Sequence, residues 1–244
     1  MDYSELALKT LNLIFLYSIY TKVCYLRILA TSDFHGDAEA FRKTALKAKL
    51  HHIDVVVVCG DITHFGSLQQ SKELLSPLLT IQCPVLFVPG NCDPPTLTEE
   101  KIETIESIHG KCKQVGNVNF LGVGGSSPSP FDTPFELTET EIAHILEQGF
   151  NSCQSKRQIV LVSHSPPKNT KVDIAFTGEH AGSISVRKFI EITNPTLVLC
   201  GHIHEATGTD KINNSTIVNP GPARHGHYAL ININAHKKIK LNNL

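Results

Sequence analysis

The chain has 244 residues, of which 41% are hydrophobic and 18% charged, a composition typical of a globular protein with its own core and unlike that of disordered chains. Its 22 basic and 23 acidic residues give a formal net charge of -1, which supplies no broad field for holding a polyanion, so we expect no nucleic-acid partner. This length fits one large domain.

The first patterned segment is strongly apolar. Leu11–Tyr20 reads LNLIFLYSIY, but its flank carries Asp2 and Glu5, no small-residue cleavage site follows it, and it is shorter than the ~20 residues that cross a membrane. We therefore favour a packed helix, or an extension in the assigned start of the protein, over a signal peptide or anchor, and expect no membrane partner. We divide the chain into an N-terminal extension, 1–26, and one domain, 27–244.

Short apolar runs without alternation predict strands that are buried on both faces. They are Ile28–Ala30, Val55–Cys59, Val85–Val88, Ile159–Ser163 and Leu197–Cys200. Helical spacing, a capping box at Thr138 and Glu141, and an N-cap at Ser183 predict helices between and after the strands. These helices are one with Phe41, Ala45 and Ala48 on its buried face, Leu68–Leu79, Leu97–Ile108, Thr138–Gln148 and Ser183–Thr193.

The sequence pattern changes after Gly201, where a hairpin and a further antiparallel strand are predicted. They are Thr207–Ile212, Thr216–Asn219 and Tyr228–Ile233. Two irregular segments, Gly124–Pro134 and Ser165–Gly182, are predicted to form the rims of a site. The order of elements predicts a mixed α/β fold with two sheet regions.

The seven cysteines are scattered and odd in number. Cys59 and Cys200 close apolar runs, where a small buried thiol fits well. This pattern predicts reduced thiols and a cytoplasmic location.

Metal-ligand residue types follow the carboxyl ends of five predicted strands, where open α/β sheets place their binding crevices. The segments are Asp33-Phe-His35, Gly60-Asp61, Gly90-Asn91-Cys92-Asp93, Ser163-His164-Ser165 and Gly201-His202-Ile203-His204. In an extended chain, ligands two residues apart project to the same side, so Asp33 and His35 form one expected pair, and His202 and His204 another. The glycines are expected to permit tight turns with unusual backbone angles.

Seven ligands are too many for one ion. A bridging carboxylate would make two sites about 3.5–4 Å apart, the spacing of hydrolytic metal pairs, and Asp61 is the natural bridge. Carboxylate and amide oxygens mixed with imidazoles suit manganese, iron, zinc, cobalt or nickel better than calcium. Two divalent ions are therefore predicted, with manganese favoured and magnesium also considered.

The motifs DFH, GD, GNCD, SHS and GHIH resemble, in order and spacing, those of the calcineurin-like metallophosphoesterases. The resemblance spans Arg27 to Ile233 and implies a four-layer α-β-β-α sandwich of two mixed sheets flanked by helices. It implies that one metal is bound by Asp33, His35, Asp61 and His204. It implies that the other metal is bound by Asp61, Asn91, His164 and His202.

One position departs from the pattern of many members of that family. Where they have a histidine after the asparagine, thought to bind phosphate or protonate the leaving group, this chain has Cys92. A thiol is a poorer acid and carries no positive charge. We therefore expect a phosphodiesterase rather than a phosphomonoesterase, similar to the branch of small phosphodiesterases that share this cysteine.

The other residues near these motifs have open roles. Cys92 either contacts substrate or packs beneath the metals, Asp93 either orients a ligand or caps a turn, and His64 and Arg224 are candidate contacts to the substrate phosphate. The catalytic set is therefore predicted to be Asp61, Asn91, Cys92, Asp93 and His164. Other histidines, among them His109 and His144, are expected at helix ends or exposed positions.

The expected partner is a small phosphate-ester substrate, and self-association is left open. Two alternatives remain. One is a phosphomonoesterase or nucleotide pyrophosphohydrolase on the same site. The other is a non-catalytic scaffold, against which the presence of all seven ligand positions argues.

Overall fold

The computed structural model describes residues 26–233 and 237–244, which form two mixed sheets flanked by helices. The predicted N-terminal extension, including Leu11–Tyr20, lies outside the described residues. The helices of the described residues are α1 (Ala38–Leu50), α2 (Leu68–Leu75), α3 (Glu139–Ser152) and α4 (Ile184–Thr193). Short 3-10 turns cover Ser76–Thr80, Pro95–Glu99, His204–Ala206 and Ala223–His225.

The first sheet has seven strands in the order β13-β12-β1-β2-β3-β5-β4. The strands are β1 (Leu26–Thr31), β2 (Val55–Val58), β3 (Val85–Phe87), β4 (Lys101–Ile102), β5 (Ile105–Ser107), β12 (His227–Ile233) and β13 (Lys238–Asn243). The neighbours β1, β2, β3 and β5 run parallel, so their carboxyl ends meet at one edge of the sheet.

The second sheet has six strands in the order β10-β11-β9-β8-β7-β6. The strands are β6 (Cys112–Val115), β7 (Val118–Val123), β8 (Ile159–Ser163), β9 (Leu197–Leu199), β10 (Gly208–Ile212) and β11 (Ser215–Asn219). Here β7, β8, β9 and β11 run parallel, while β6 and β10 are antiparallel at the edges.

Three apolar layers hold these elements together, and alternate residues of one strand serve different layers. Ile28 and Ala30 of β1 pack between the two sheets, whereas Leu29 packs outward against α1 and α2. On the far side, α3 and α4 cover the second sheet through residues such as Leu146 and Ile190. The order of layers is α-β-β-α, which confirms the predicted fold class.

The helices whose ends carry a capping residue were predicted well. The side chain of Thr138 accepts from Glu141 N while the Glu141 carboxylate accepts from Thr138 N, the predicted capping box. Ser183 caps α4 by accepting from Val186 N, and that helix ends at Thr193 as predicted. The helix α1 buries Phe41, Ala45 and Ala48, the predicted face.

Two predicted helices were wrong in part or in whole. The helix predicted over Leu68–Leu79 stops at Leu75, because Pro77 lies in the following 3-10 turn and has no backbone N–H to donate to a helical hydrogen bond. The predicted helix over 97–108 is instead a 3-10 turn followed by β4 and β5. Ile105 lies opposite Val85 of the parallel strand β3, so pairing with the sheet overrides an apolar spacing that imitates a helix.

The expectation of reduced thiols was wrong for two of the cysteines. Cys112, at the start of β6, and Cys153, at the end of α3, form a disulfide. The other cysteines of the described residues are buried free thiols. This bond removes the argument by which the cysteine pattern indicated a reducing compartment.

We expect the disulfide to contribute to stability, because it closes a loop between residues 41 positions apart. Replacing both cysteines by serine should lower the free energy of unfolding by up to about 4 kcal/mol. Urea denaturation with and without reductant measures this. The parent should lose stability in reductant and the double variant should not, whereas a parent insensitive to reductant would contradict the expectation.

His109 is not at the helix end where the sequence placed it. It follows β5, lies half-buried, and its Nδ1 accepts from Gly124 N at 2.9 Å, which ties the start of the rim segment 124–134 to the first sheet. Burial lowers the pKa of His109 to about 4. The folded protein therefore resists protonation of this ring where the unfolded chain accepts a proton.

This difference predicts a loss of stability in mild acid. The pKa of His109 is lower in the folded state than its ordinary value of 6.5, so its contribution is complete above pH 6.5 and is lost as the pH falls toward 4, by about 3 kcal/mol in total. His109→Asn keeps an acceptor for Gly124 N without titrating. It should reduce the fall in the free energy of unfolding, measured by urea denaturation, between pH 7 and pH 4.5. His144→Asn, at an exposed position of α3, should keep the slope of the parent.

Candidate metal centre

The predicted ligands lie where the parallel strands of the two sheets end. Asp33 follows β1, Asp61 follows β2 and Asn91 follows β3 in the first sheet. His164 directly follows β8, and His202 follows β9, in the second sheet. Because the sheets pack face to face, these edges adjoin and bring together side chains that are distant in sequence.

The backbone carries unusual angles at the ligands themselves. Asp33, His35, Asp61 and His202 have φ values of 58°, 47°, 53° and 69°. The prediction that paired ligands lie in an extended chain was therefore wrong, because these residues lie in tight left-handed turns. Hydrogen bonds between the turns hold them, since Asp33 N donates to Gly60 O and His35 N donates to Asp61 O. Left-handed conformations are costly outside glycine and cluster at functional sites.

The motif glycines act mainly by leaving room. Gly60 has a positive φ, as predicted, but Gly90 does not. The residues that directly follow Gly60 and Gly201, which are Asp61 and His202, also have positive φ values. A Cβ on Gly90 would lie 2.0 Å from Asp61 Oδ1, and one on Gly201 would lie 1.8 Å from Ser32 Oγ. Glycine lets these loops approach the carboxylates closely.

A first group of metal-binding atoms comes from Asp33, His35 and His204, whose ligand atoms lie within 4.8 Å of one another. The Nε2 atoms of the two histidines are 3.1 Å apart, and His204 Nε2 is 3.4 Å from Asp33 Oδ1. His35 Nδ1 is buried without a hydrogen-bond partner. A buried imidazole left in this way is unusual for a merely structural histidine.

A second group contains Asp33, Asp61 and His164, again within 4.8 Å. His164 Nδ1 lies 2.7 Å from Cys59 O, a pure acceptor, so Nδ1 carries the proton and Nε2 presents a lone pair. That lone pair faces Asn91 Oδ1 at 2.9 Å and Asp61 Oδ1 at 3.6 Å. Lone pairs that face one another are unfavourable unless a cation lies between them, so this donor set fits a metal ion.

Asp61 faces both groups. Its Oδ2 lies 3.5 Å from His35 Nε2, while its Oδ1 lies 3.6 Å from His164 Nε2 and accepts from Cys92 N. Burial raises the pKa of Asp61 to about 7. A carboxylate this deeply buried is stable in its charged form when cations are close.

Charge and burial also act on the neighbouring ligands. Burial alone would raise the pKa of Asp33, but hydrogen bonding to His204 and the nearby histidines bring it below its usual range. Burial lowers the pKa of His35 and that of His202 to about 3. These imidazoles are neutral at physiological pH, the form that binds metals.

His202 is placed differently from the other predicted ligands. Its ring packs edge-on against the ring of His164 at 5.0 Å between centroids, and its backbone N donates to the Asp33 carboxylate at 3.2 Å. Among the described residues, the groups of three metal-binding side chains within 4.8 Å do not include it. His202 nevertheless lines the cleft that opens from the other metal-binding side chains.

Cys92 lies at the floor of that cleft. It is 6% exposed, and its Sγ shares a third group of ligand atoms with His35 and His64, within 4.8 Å. Burial, together with the charge of Asp61, raises the pKa of the Cys92 thiol above its ordinary range. Cys92 is therefore both packed and in reach of a bound molecule, and His64 stands beside it at the cleft mouth.

Asp93 does not reach the cleft, so its predicted catalytic role is corrected to a positioning one. The side chain is fully buried, and its carboxylate accepts from Ile62 N, Thr63 N and Gly90 N at 2.7 to 3.0 Å. These bonds join the loop of Asp61 to that of Asn91. Asp93 therefore sets the relative position of two candidate ligands.

Arg224 lies on the 3-10 turn Ala223–His225 at the edge of the centre. Its Nη2 is 3.4 Å from His204 Nδ1, and its side chain is exposed. The guanidinium is thus next to a candidate ligand, while its contact with a substrate phosphate stays a prediction.

A cleft of about 1030 Å³ opens from the metal-binding side chains. Its walls include Ser127–Phe131 and Thr133 on one side and Ala175–Gly182 on the other, so both predicted rim segments line it. Both segments were predicted, but two of their exposed phenylalanines and the buried Asp173, which is bonded to His180, were not singled out from the sequence.

A family model described as calcineurin-like phosphoesterase matches residues 26–206. The chain belongs to the calcineurin-like phosphoesterase family. Membership confirms the resemblance read from the five motifs and makes the protein a member of a metal-dependent hydrolase family, to which the ligand clusters correspond. No helix of the described residues is long and apolar enough to cross a membrane.

Similar proteins from two organisms align with most of the chain. An uncharacterized protein of Methanocaldococcus jannaschii is 42% identical over 214 residues, which covers 84% of this chain and 93% of that protein. A probable cyclic nucleotide phosphodiesterase of Vesicomyosocius okutanii is 30% identical over 180 residues, 70% of this chain and 71% of that protein.

Solved structures share the calcineurin-like fold. A protein of Thermus thermophilus matches with a TM-score of 0.72 and 22% identity over 89% of this chain and 98% of its own. A dimetal phosphatase from Danio rerio matches with a TM-score of 0.62 and 13% identity over 89% of this chain and 96% of its own. At these identities the likeness concerns the fold alone.

Proposed function

We propose that the protein is a phosphodiesterase that uses two divalent metal ions, held by two sets of side chains that share Asp61. The observation that carries the proposal is the position of Asp61 between two groups of metal-binding atoms, since its Oδ2 lies 3.5 Å from His35 Nε2 and its Oδ1 lies 3.6 Å from His164 Nε2. The first set is Asp33, His35, Asp61 and His204. The second is Asp61, Asn91, His164 and His202. His202 is included because of its place in the motif Gly201-His202-Ile203-His204.

The protein's own groups prepare the reaction by placement. When bound, the two ions neutralise phosphate oxygens and activate water for in-line displacement. The bond between His164 Nδ1 and Cys59 O fixes the tautomer and the orientation of that ring. Asp93 holds the loops of Asp61 and Asn91 together. Asp33 and Asp61 are buried, so their charges lie in surroundings of low dielectric constant, where electrostatic interactions are strong.

Cys92 is the reason to favour a diester over a monoester. A monoester brings one more negative charge to the centre than a diester does, and a cation near the phosphate would stabilise it. The thiol at 92 supplies neither a cation nor a strong acid. The similarity to a protein named as a probable cyclic nucleotide phosphodiesterase supports the same choice.

The proposal is tested with metal-stripped protein resupplied with manganese, nickel, cobalt, zinc or magnesium. The measured quantities are the hydrolysis rates of bis(p-nitrophenyl) phosphate and of p-nitrophenyl phosphate. We expect metal-dependent cleavage of the diester, faster than that of the monoester, with manganese among the active metals. Preference for the monoester, or no activity with any metal, would count against the proposal.

A further inference from the structure

The cleft is larger than the metal centre requires. Ligand sites for drug-sized molecules typically enclose about 300–1,000 Å³, and this cleft of about 1030 Å³ lies just above that range. His35, Asp61 and Asn91 line only its inner end. The outer end, between the segments 127–133 and 175–184, is left for a part of the substrate other than the phosphate.

Two large aromatic side chains stand exposed in that outer part. Phe131 is 79% exposed and Phe176 is 90% exposed, and each lies on a different wall of the same cleft. Exposed aromatic rings at a cleft mark surfaces that bind a partner, and their faces favour flat rings.

Both walls are held in place by a carboxylate. Glu136 Oε1 accepts from Ser129 Oγ at 2.7 Å and from Thr133 N at 3.1 Å, which braces the segment that carries Phe131. On the other wall, the buried Asp173 accepts from Thr170 N at 2.7 Å and Gly182 N at 3.1 Å. Walls that are fixed before binding lose little entropy when a ligand arrives.

Asp173 also fixes a polar group of the outer cleft. His180 Nδ1 donates to Asp173 Oδ1 at 2.7 Å, while the side chain of His180 stays 40% exposed and lines the cleft. Within the described part of the chain, its Nε2 has no hydrogen-bond partner. The ring thus offers one oriented nitrogen to a polar substituent of a bound molecule.

The charges of the outer cleft are mixed rather than basic. Among the residues that line the cleft, Lys168 and His180 are basic, whereas Glu139, Glu179 and Glu205 are acidic. Such a wall does not favour the repeated phosphates of a nucleic acid, but it accepts a single uncharged group with polar edges.

We propose that the outer cleft is a subsite for the organic ester group of the substrate, and that this group is a flat ring with polar substituents, the chemistry of a nucleobase. Phe131 and Phe176 contact its faces, and His180, positioned by Asp173, hydrogen-bonds its edge. This inference rests on the proposed phosphodiesterase function.

Two diesters that share one leaving group distinguish an effect on binding in the outer cleft from an effect on hydrolysis at the metal centre. They are the p-nitrophenyl ester of a thymidine monophosphate and methyl p-nitrophenyl phosphate, both assayed with the metal-loaded protein. Replacing Phe131 and Phe176 by alanine should raise KM for the thymidine diester about tenfold and leave its kcat and the methyl diester largely unchanged. His180→Ala should act in the same direction. Ile192→Ala, which removes another exposed apolar side chain, on α4, is the matched control.

Other outcomes overturn the inference. Equal losses on both diesters would mean that the shared aryl group, not the nucleoside, occupies the outer cleft. Unchanged KM values with an altered oligomeric state would make the phenylalanines a protein contact. Failure of the proposed function looks different, because the unsubstituted protein would then cleave neither diester with any metal.

Discussion

Asp61→Asn should reduce metal-dependent phosphodiester hydrolysis by roughly a thousandfold. Asp61 faces both groups of ligand atoms, with Oδ2 3.5 Å from His35 Nε2 and Oδ1 3.6 Å from His164 Nε2. An amide can replace one oxygen but cannot bridge two cations with a negative charge. The stabilisation lost is several kcal/mol, and each ~1.4 kcal/mol is a factor of ten in rate.

Asparagine is chosen because it tolerates the left-handed backbone at this position, where φ is 53°. Asp132→Asn is the matched control, since Asp132 is exposed and has a φ of 50°, so the same chemical change meets the same backbone demand away from the centre. Bound metal per chain and the activity of both variants are measured together. Full activity in Asp61→Asn with both metals retained would remove Asp61 from its proposed role.

The interior strands could be predicted because burial on both faces leaves a direct mark on the sequence. Val55–Val58 is a run of four valines with alternate residues in two different cores, and only a strand between two covered faces needs that. The strand β7 was missed although it is wholly buried, because Asn119 and Gly122 interrupt its apolar run. Gly122 is there because a Cβ would lie 2.7 Å from Ile108 O, a contact between distant segments.

The site could be located from sequence, but its backbone could not. Ligand types after five strand ends predicted residues that the structure brings close together, because parallel strands end at one edge. The left-handed turns at Asp33 and His35 depend on hydrogen bonds to Gly60 O and Asp61 O, which come from another loop. Aspartate and histidine adopt left-handed angles more often than most residues, but still rarely, so the conformation at these positions is explained by the tertiary contacts.

The outer cleft was still less visible in the sequence. The pair Asp173 and His180 is separated by seven positions in an irregular segment and becomes recognisable only when the turn between Ile174 and His180 is formed. Phe131 and Phe176 come from segments whose shared cleft is fixed by the packing of both sheets. Loops that select substrate carry little periodicity, and for that reason their partners cannot be read from spacing.

Cys92→His should raise the ratio of monoester to diester hydrolysis by about a hundredfold. The thiol is 6% exposed at the floor of the cleft, and its Sγ shares a group of ligand atoms with His35 and His64. An imidazole there can extend into the open cleft, meet the additional charge of a monoester and donate a proton to the leaving oxygen. A positioned acid of this kind typically contributes about 10²–10⁴-fold. The monoester for this comparison is an alkyl phosphate, whose leaving oxygen needs a proton. The diester is bis(p-nitrophenyl) phosphate, whose rate should change far less because p-nitrophenolate leaves without protonation.

Cys92→Ser is the matched control, since a hydroxyl is close in size to the thiol and supplies neither a cation nor a strong acid. Its ratio should stay near that of the parent. Metal content is measured for each variant, because a histidine beside His35 and His64 is itself a potential ligand. If Cys92→His keeps its metals and the parental ratio, the preference for diesters has another origin. If Cys92→Ser loses diesterase activity with its metals in place, the thiol takes part in the reaction directly.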